Sequence, residues 1–315
     1  MRTIFMGTPL MAVPALEALV QGGHEVVAAV TQPDRPKGRG GRLAPPPVKE
    51  AAAARGIPVL QPERVRDAVF IEAFRDLAPE AAVVIAFGQI LPRALLDIPK
   101  FGCINVHASL LPRYRGAAPI QWAIAKGERE TGLTTMHMDA GMDTGPTYLT
   151  VRTPIGPEED AEALTGRLSA MAGPLIVETL RRVAEEGLAP TPQDDAGATY
   201  APLLTREDGQ VRWELPAREV VDRVRAFVPW PGSYTTRAGE RWNLTQVREG
   251  ESRGHGAPPG TILRVDGDSL LVAAGTGSVR IYGLQPPGGR PMAMRAYLNG
   301  HAVAKGEVLG QVPGP

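Results

Sequence analysis

One short segment of the chain reads Gly102-Cys103-Ile104-Asn105-Val106-His107-Ala108-Ser109-Leu110-Leu111-Pro112. Its run Cys103–Val106 is apolar except for one amide and predicts a buried β-strand. Side chains alternate across a strand, so Asn105 and His107 share a face. Ligands of open α/β sheets bind beyond the carboxyl ends of the strands. The segment therefore predicts a strand that presents an amide and an imidazole to a site at its end.

Strand-like runs and helical patterns alternate around this segment. Alternation at these lengths needs right-handed crossovers and predicts a mainly parallel sheet covered by helices. The first half is therefore predicted to be an α/β, doubly wound domain. Its predicted strands are Thr3–Met6, Val26–Thr31, Val59–Leu60, Ala82–Ala86 and Cys103–Val106, and its predicted helices are Ala12–Val20, Val48–Arg55, Ala68–Leu77 and Pro119–Lys126.

The alternation of predicted strands and helices ends after the first half of the chain. Leu133–Met138 and Thr147–Thr153 predict a hairpin-like addition, and apolar residues at helical spacing predict a helix over Ala161–Glu186. Turn-forming residues dominate positions 187–208 and indicate a boundary. We therefore predict a first domain over residues 1–189, a linker over 190–207 and a second domain over 208–315.

The second domain is predicted to be a small β-barrel. Short strands separated by glycine-rich turns are typical of such barrels, and an OB-like barrel is one common solution. One helix is expected first, over Ala217–Phe227. The five predicted strands are Ser233–Thr236, Trp242–Val247, Gly260–Val265, Ser269–Ala273 and Val279–Leu284.

Composition excludes several classes of protein. The 315 residues carry 34 basic and 34 acidic side chains, and 43% are hydrophobic, which is typical of a globular chain. No apolar run is long enough to span a membrane, and the chain starts without a signal peptide, so we expect a cytoplasmic protein with no membrane partner. A single cysteine, Cys103, excludes an intrachain disulfide and a cysteine-based zinc site.

The first strand-to-helix turn tests for a bound nucleotide. It reads Gly7-Thr8-Pro9, with one glycine where the dinucleotide fingerprint needs three. The Gly-Lys-Ser/Thr of a phosphate loop is also absent from the sequence. The doubly wound fold is therefore expected to serve another ligand.

A second polar run, Met138-Asp139-Ala140-Gly141-Met142-Asp143-Thr144-Gly145, follows another predicted strand. Its carboxylates, with Asn105 and His107, make a candidate acyl-transfer site in which the amide polarises a carbonyl and the imidazole and carboxylate move protons. A hydrogen-bonded core histidine is the alternative interpretation of His107. Spacing alone favours turn formation for both aspartates.

Two other chemistries fit less well. Cys103, His107, His137 and Asp143 match no common zinc spacing, so no metal is expected. Ser109 does not lie in a G-x-S-x-G turn, which argues against a serine nucleophile.

The motifs resemble a known family. Together with Arg113-Tyr114-Arg115-Gly116-Ala117-Ala118-Pro119-Ile120-Gln121, they are similar to the methionyl-tRNA formyltransferases, a branch of the folate-dependent formyltransferases. The Asn/His/Ser-Leu-Leu-Pro core is shared by the whole superfamily, and other segments indicate the tRNA branch. Further similar segments are Gly7–Pro9, Thr31–Pro36 with Gly38–Gly40, Pro45–Lys49, Gln61–Pro62, Arg225–Pro231 and Ala257–Ile262.

The resemblance implies a function. It implies transfer of a formyl group from 10-formyltetrahydrofolate to the α-amino group of methionyl initiator tRNA, by a Rossmann-like domain that holds folate and an OB-like barrel that helps to hold tRNA. By motif, Asn105, His107 and Asp143 would be the catalytic residues. The implied folate-binding residues are Ser109, Leu110, Leu111, Pro112, Ala86, Phe87, Gly88, Ile90 and Leu91.

A basic segment lies between Pro33 and Lys49 on a glycine- and proline-rich backbone. Its composition alone favours a solvated surface loop. The resemblance implies instead a contact with the acceptor end of tRNA, because cationic segments that order on binding are common in RNA recognition. The implied tRNA-binding residues are Arg35, Lys37, Arg39 and Arg42.

Two competing functions stay open. One is a related formyltransferase that acts on an amino-sugar nucleotide or on glycinamide ribonucleotide, which would leave the basic segment and the barrel without a role. The other is an RNA-binding module whose first domain is a degenerate ligand sensor, which an intact Asn105, His107 and Asp143 argues against. We expect a monomer, on the resemblance.

Overall fold

The computed structural model describes residues 1–37, 42–252 and 256–311. The chain divides into two compact units. One comprises Met1–Pro119, Glu130–Pro154 and Thr165–Ala201, and the other comprises Ile120–Arg129, Ile155–Leu164 and Pro202–Pro315. Each unit is built on its own principal sheet.

Regular elements follow the predicted order closely. The strands are β1 (Arg2–Gly7), β2 (Glu25–Val30), β3 (Arg35–Lys37), β4 (Arg42–Ala44), β5 (Val59–Leu60), β6 (Ala81–Ile85), β7 (Cys103–His107), β8 (Glu130–His137), β9 (Thr147–Pro154), β10 (Ser233–Arg237), β11 (Glu240–Glu249), β12 (Ile262–Asp266), β13 (Ser269–Ala273), β14 (Ser278–Gln285) and β15 (Met292–Ala293). The α-helices are α1 (Val13–Gln21), α2 (Pro47–Ala53), α3 (Ala68–Asp76), α4 (Arg93–Leu96), α5 (Pro119–Ala125), α6 (Ala161–Glu185), α7 (Ala217–Ala226) and α8 (Met294–Leu298).

The first unit holds a seven-stranded sheet in the order β5-β2-β1-β6-β7-β8-β9. Pairing is parallel from β5 to β7 and antiparallel for β8 and β9, as the predicted parallel sheet with a hairpin-like addition requires. The chain order reverses between β1 and β6, which is the switch point where open α/β sheets bind ligands. The α/β fold class is therefore confirmed.

A buried core cluster covers one side of this sheet and includes side chains of β1, β2, β6 and β7. All five residues of β6 are buried, as expected for a strand covered on both faces. Burial of such aliphatic and aromatic side chains stabilises each by roughly 1.5–3 kcal/mol. The core cluster comprises Ile4, Met6, Val30, Val65, Phe70, Phe74, Ala82, Val84, Phe87, Leu91, Leu95, Leu96 and Cys103.

The basic segment contains a hairpin that periodicity did not predict. Strands β3 and β4 pair antiparallel, with Arg35 opposite Ala44 and Lys37 opposite Arg42. Short strands rich in basic residues and proline give no alternation of apolar and polar side chains, so pattern analysis returns a loop. We call β3, β4 and the residues between them the basic arm. Its turn, residues 38–41, lies outside the described part of the chain.

The second unit holds an antiparallel sheet in the order β10-β11-β14-β13-β12, with β15 paired to β14. All five predicted strands are present. Trp213 and Trp242 are buried in its core, whereas Trp230 is 50% exposed. Closure of the sheet into an OB-like barrel stays a prediction.

The predicted linker contains residues that belong to the first unit. Within 190–207, the first unit extends to Ala201, and the second resumes at Pro202. The domain boundaries stay a prediction. Across the described ranges, no helix is both long enough and apolar enough to cross a membrane.

Candidate active site

Strand β7 sets the orientation of Asn105 and His107. It pairs with β6 on one side, where Asn105 lies opposite Val84, and with β8 on the other, where Asn105 lies opposite Met136. His137 lies opposite Ile104, so it shares the face of Ile104 and projects away from Asn105. The structure therefore separates His137 from the face that carries the candidate site, and its ring contacts Tyr148 instead.

His107 is 6% exposed and has a partner at each ring nitrogen. Nε2 lies 2.9 Å from the backbone carbonyl oxygen of Tyr114. Nδ1 lies 3.5 Å from Asp143 Oδ2, and the Asp143 side chain is 17% exposed. The predicted pairing of imidazole and carboxylate is thus present in the structure.

These contacts decide the tautomer of His107. A carbonyl oxygen only accepts hydrogen bonds, so Nε2 carries a proton and donates it to Tyr114. Nδ1 is left facing a carboxylate, where it either holds the second proton of an imidazolium or accepts a proton as a base. Proton exchange at His107 therefore takes place at Nδ1, on the Asp143 side.

Asp143 is held by the backbone of the neighbouring loop. Its Oδ2 accepts a hydrogen bond of 2.7 Å from the Gly116 N–H. Gly116 has φ +120°, and a Cβ there would lie 2.6 Å from the Ala201 carbonyl oxygen, so only glycine fits. Asp143 itself adopts φ +54°, in the left-handed region that side chains rarely occupy. The loop geometry therefore places this one carboxylate against His107.

Asp139 has a different role. Its Oδ1 accepts hydrogen bonds from Gly141 N at 3.0 Å and from Thr144 Oγ1 at 2.8 Å. This Asx-type pattern stabilises a turn. The turn-former interpretation therefore describes Asp139, whereas Asp143 faces His107.

The Asn105 side chain is half-buried on the site face. None of the side-chain hydrogen bonds among the described residues uses its amide. A side-chain amide that has no partner within the protein can donate to a ligand without breaking a hydrogen bond of the protein. Asn105 is thus available to polarise a carbonyl oxygen.

The Ser109–Pro112 segment forms the turn after β7. Ser109 Oγ donates to the Arg113 carbonyl at 2.6 Å, and the Ser109 carbonyl accepts from Thr134 Oγ1 at 2.7 Å. The Ser109 hydroxyl is therefore used inside the protein. Leu110, Leu111 and Pro112 are partly exposed and offer apolar surface near the site.

The segment after β6 divides between core and surface. Phe87 and Leu91 are buried in the core cluster. Ile90 is 86% exposed. Ala86 and Gly88 are exposed and have positive φ, which leaves backbone groups accessible beside the switch point. The segment thus exposes its backbone and the Ile90 side chain, and its role in folate binding stays a prediction.

A cavity of about 480 Å³ opens at the switch point between β1 and β6. Two of its lining side chains donate hydrogen bonds to the Phe87 carbonyl oxygen. Thr8 Oγ1 does so at 3.0 Å and Gln32 Nε2 at 3.2 Å. Volumes of this order suit a small organic ligand or part of a larger one. Lining residues include Thr8, Pro9, Gln32, Pro33, Arg35, Pro36, Ala44–Pro47 and Ala86–Gly88.

The basic arm borders that cavity through Arg35. Arg35 is exposed, and Lys37 and Arg42 form a register pair of the hairpin backbone. Arg39 lies outside the described residues. Lys49 Nζ forms a 2.8 Å ion pair with Asp34. Hydrogen bonds from Lys49 and Gln61 lower the Asp34 pKa. Lys49 therefore anchors the base of the arm.

Three groups at the site could not be read from motif spacing. The Tyr114 carbonyl and the Gly116 N–H act through the backbone, so residue type gives no signal for them. Gln193 donates to the carbonyls of Asp143 and Gly145 from a position where composition indicates only a loop.

The described residues contain no group of three or more His, Cys, Asp or Glu side chains that could hold a metal ion. Burial raises the pKa of the nearby Cys103 thiol to about 12. A thiol in that state is a poor ligand and a poor nucleophile. The polar side chains that the structure places at the site are the Asn105 amide, the His107 imidazole and the Asp143 carboxylate.

Comparisons with known proteins agree over the whole chain. Family models described as Formyl transferase and as Formyl transferase, C-terminal domain match residues 1–180 and 203–302. The methionyl-tRNA formyltransferase of Citrifermentans bemidjiense is 51% identical over 311 residues, which cover 99% of this chain and 97% of that protein. That of Pelobacter propionicus is 50% identical over 307 residues, which cover 98% and 95%.

Solved structures share the fold at low identity. HypX from Aquifex aeolicus, in complex with tetrahydrofolic acid, has a TM-score of 0.64 and 18% identity. The match covers 95% of this chain and 47% of HypX, so this chain spans about half of that protein. The likeness shows a common fold.

Proposed function

Because this chain belongs to the formyl transferase family, and within it to the methionyl-tRNA formyltransferases, we propose that it transfers the formyl group of 10-formyltetrahydrofolate to the α-amino group of methionyl initiator tRNA. The observation that carries the proposal is the distance of 3.5 Å between His107 Nδ1 and Asp143 Oδ2. His107 ends the strand that also carries Asn105. The product is N-formylmethionyl-tRNA, which serves translation initiation.

The reaction forms one C–N bond and breaks another. The neutral α-amine attacks the formyl carbon, negative charge develops on the formyl oxygen, and the bond from that carbon to the folate nitrogen then breaks. Asn105 donates a hydrogen bond to the oxygen as the charge develops. Removal of one such donor in other enzymes costs about 10²–10³ in kcat.

The proton of the attacking amine moves within the His107–Asp143 pair. Nε2 of His107 is occupied by the Tyr114 carbonyl, so Nδ1 and the Asp143 carboxylate take the proton lost by the amine and return one to the departing folate nitrogen. General acid–base catalysis of this kind contributes roughly 10²–10⁴-fold. The amine proton and the leaving-group proton balance, so no external acid is needed.

The folate cosubstrate is supported by the family and by the surfaces at the site. The partly exposed Leu110, Leu111 and Pro112 and the exposed Ile90 offer apolar contacts for a pterin. A structural neighbour, HypX, was solved with tetrahydrofolic acid. In our proposal the Ser109–Pro112 turn and the Ala86–Leu91 segment bind the donor, with Phe87 and Leu91 supporting the segment from the core.

The tRNA acceptor is favoured over a small amine. The basic arm supplies Arg35, Lys37, Arg39 and Arg42, which an amino-sugar nucleotide or glycinamide ribonucleotide does not require. Relatives at about 50% identity over the full chain are named methionyl-tRNA formyltransferases. We further propose that the enzyme is cytoplasmic and that it is a monomer. Light scattering of the purified protein tests the oligomeric state.

The test is transfer of labelled formyl from 10-formyltetrahydrofolate to methionyl initiator tRNA, with methionyl elongator tRNA and amino-sugar nucleotides in parallel. We expect a strong preference for the initiator tRNA, and for Asn105→Ala a fall in kcat of about 10²–10³. Gln21→Ala, on the exposed end of α1, is the control and keeps wild-type turnover.

Other results would redirect the proposal. Turnover of a small amine alone would retain the three catalytic residues and move the enzyme to a sister activity. Wild-type turnover by Asn105→Ala would remove its role at the formyl oxygen.

A further inference from the structure

The chain returns to the active site after helix α6. Residues 191–201, which we call the return segment, form a bridge with β9 in which Thr191 and Thr147 exchange backbone hydrogen bonds of 2.7 and 2.8 Å. Further along, Thr199 Oγ1 accepts from Tyr114 N, and the Thr199 carbonyl accepts from Arg115 N, both at 2.8 Å. The return segment therefore contacts the start of β9 and the loop that carries Tyr114 and Arg115.

Gln193 is the residue of this segment that reaches the catalytic carboxylate. Its Nε2 donates to the Asp143 carbonyl at 2.8 Å and to the Gly145 carbonyl at 2.7 Å. These two carbonyls follow the Asp143 Cα, where the backbone has its φ of +54°. A left-handed non-glycine residue persists only where its surroundings fix it. Here the Gln193 amide uses both of its N–H groups to bind the backbone at Asp143 and Gly145.

Arg115 fixes which way that amide points. Its guanidinium is 3% exposed and donates to Gln193 Oε1 from Nε at 3.2 Å and from Nη2 at 2.9 Å. Guanidinium groups only donate, so the oxygen of Gln193 must face Arg115 and the nitrogen must face the carbonyls. The Arg115–Asp195 ion pair adds little, because Asp195 is 84% exposed.

We propose that Gln193 is a positioning residue, which holds the Asp143 backbone so that its carboxylate faces His107, with Arg115 setting the orientation of the Gln193 amide. The inference rests on the proposed function and deepens it, since neither residue touches the reacting atoms. A displacement of about 1 Å at a catalytic group can cost 10²-fold in rate. The expected defect is therefore in kcat rather than in substrate binding.

The test compares Gln193→Ala and Gln193→Glu with wild type and with the control Gln21→Ala. Glutamate keeps the size of glutamine but places an oxygen against the two carbonyls, so it should fail as alanine does. We expect kcat to fall about 10- to 100-fold in both variants, with KM for tRNA and folate within about twofold of wild type. The pH–rate profile should shift, because proton transfer passes through the Asp143 carboxylate.

Several outcomes would overturn the inference. One is that the unsubstituted enzyme formylates methionyl-tRNA and both Gln193 variants match its kcat and its pH–rate profile. Thermal denaturation and tetrahydrofolate titration by protein fluorescence measure how much of each variant is folded. A loss of activity that matches the loss of folded protein would mean a purely structural role. Failure of the wild-type enzyme to formylate methionyl-tRNA would instead remove the proposed function, so the two failures are distinct.

Discussion

Asp143, Tyr114 and Ala86 have backbone conformations that non-glycine residues rarely adopt, with φ values of +54°, +60° and +47°. Tyr114 presents its carbonyl to His107, Asp143 presents its carboxylate, and Ala86 directly follows β6 at the switch point. Sparsely populated conformations persist where the surrounding structure fixes them, and they concentrate at functional sites. At the residue scale, the site is therefore defined by backbone geometry as much as by side-chain chemistry.

Cys103 gives a test of the buried strand. Its thiol lies two residues before Asn105, and burial raises its pKa to about 12 from an ordinary 9.0. The raised pKa keeps the thiol protonated in the folded protein, and the thiolate forms only as the pH approaches that value. At pH 8 we expect a native thiolate fraction about 10³-fold smaller than in the unfolded chain.

The measurement is the rate of reaction with a chromogenic disulfide reagent in buffer and in guanidinium chloride. Labelling in buffer should be slower by at least the thiolate ratio, because access is restricted too. Equal rates in the two conditions would contradict the burial of β7.

At the element scale, the basic arm is anchored at its base and carries cations along its length. Asp34 accepts hydrogen bonds from Lys49 at 2.8 Å and from Gln61 Nε2 at 2.8 Å, and Gln61 also donates to the Gln32 carbonyl. This cluster joins the start of the arm to the strand ends of the sheet. Because Lys49 is paired with Asp34, we do not count it among the cations that would bind a phosphate backbone.

Arg42→Ala tests the arm. The variant should raise the KM for tRNA several-fold, reduce turnover and lower the salt dependence of tRNA binding by about one phosphate contact, because a phosphate-binding cation has been lost. Folate binding should be unchanged. Arg75→Ala on α3, an exposed arginine paired with Glu72, is the matched control.

Steady-state kinetics over a range of salt concentrations give both quantities. Wild-type kinetics in Arg42→Ala would return the basic arm to the solvated-loop interpretation.

At the scale of the whole molecule, ion pairs on both units link stability to pH. Hydrogen bonds from arginine or lysine partners lower the pKa of carboxylates from ordinary values of 3.8 or 4.5. A carboxyl group with a lowered folded-state pKa stabilises the protein above the unfolded value, and the contribution is lost as the pH falls through the folded value. The carboxylates concerned are Asp34, Glu178, Glu186, Glu214, Asp266 and Glu307.

We therefore expect these carboxylates to leave the Tm unchanged between about pH 5.5 and 7 and to lower it below about pH 4. Added salt should reduce the size of the fall, because most of these pairs are exposed and screened. Scanning calorimetry of wild type and Glu307→Gln measures the effect. Glu307→Gln removes the carboxylate that pairs with Arg237 and should flatten the decline slightly. A Tm that rises on acidification would contradict the assignment.

The sequence by itself determined the order and type of nearly all the principal elements, the pairing of Asn105 with His107 on one strand face, and the family. These properties depend on local periodicity and on motifs that are contiguous in the chain. The β7 prediction differs from the observed strand by one residue for this reason, since alternation of side chains is a local property.

The resemblance implied Asp143 as the catalytic carboxylate, and only the tertiary structure showed why Asp143 rather than Asp139 faces His107. Asp139 and Asp143 share one loop and one residue type, and the choice depends on the Gly116 N–H and on Gln193, which lies 50 residues away. It also placed His137 on the opposite face, through the register of β7 with β8. Contacts between residues distant in the chain leave no periodic signal, because each depends on how separate elements pack together.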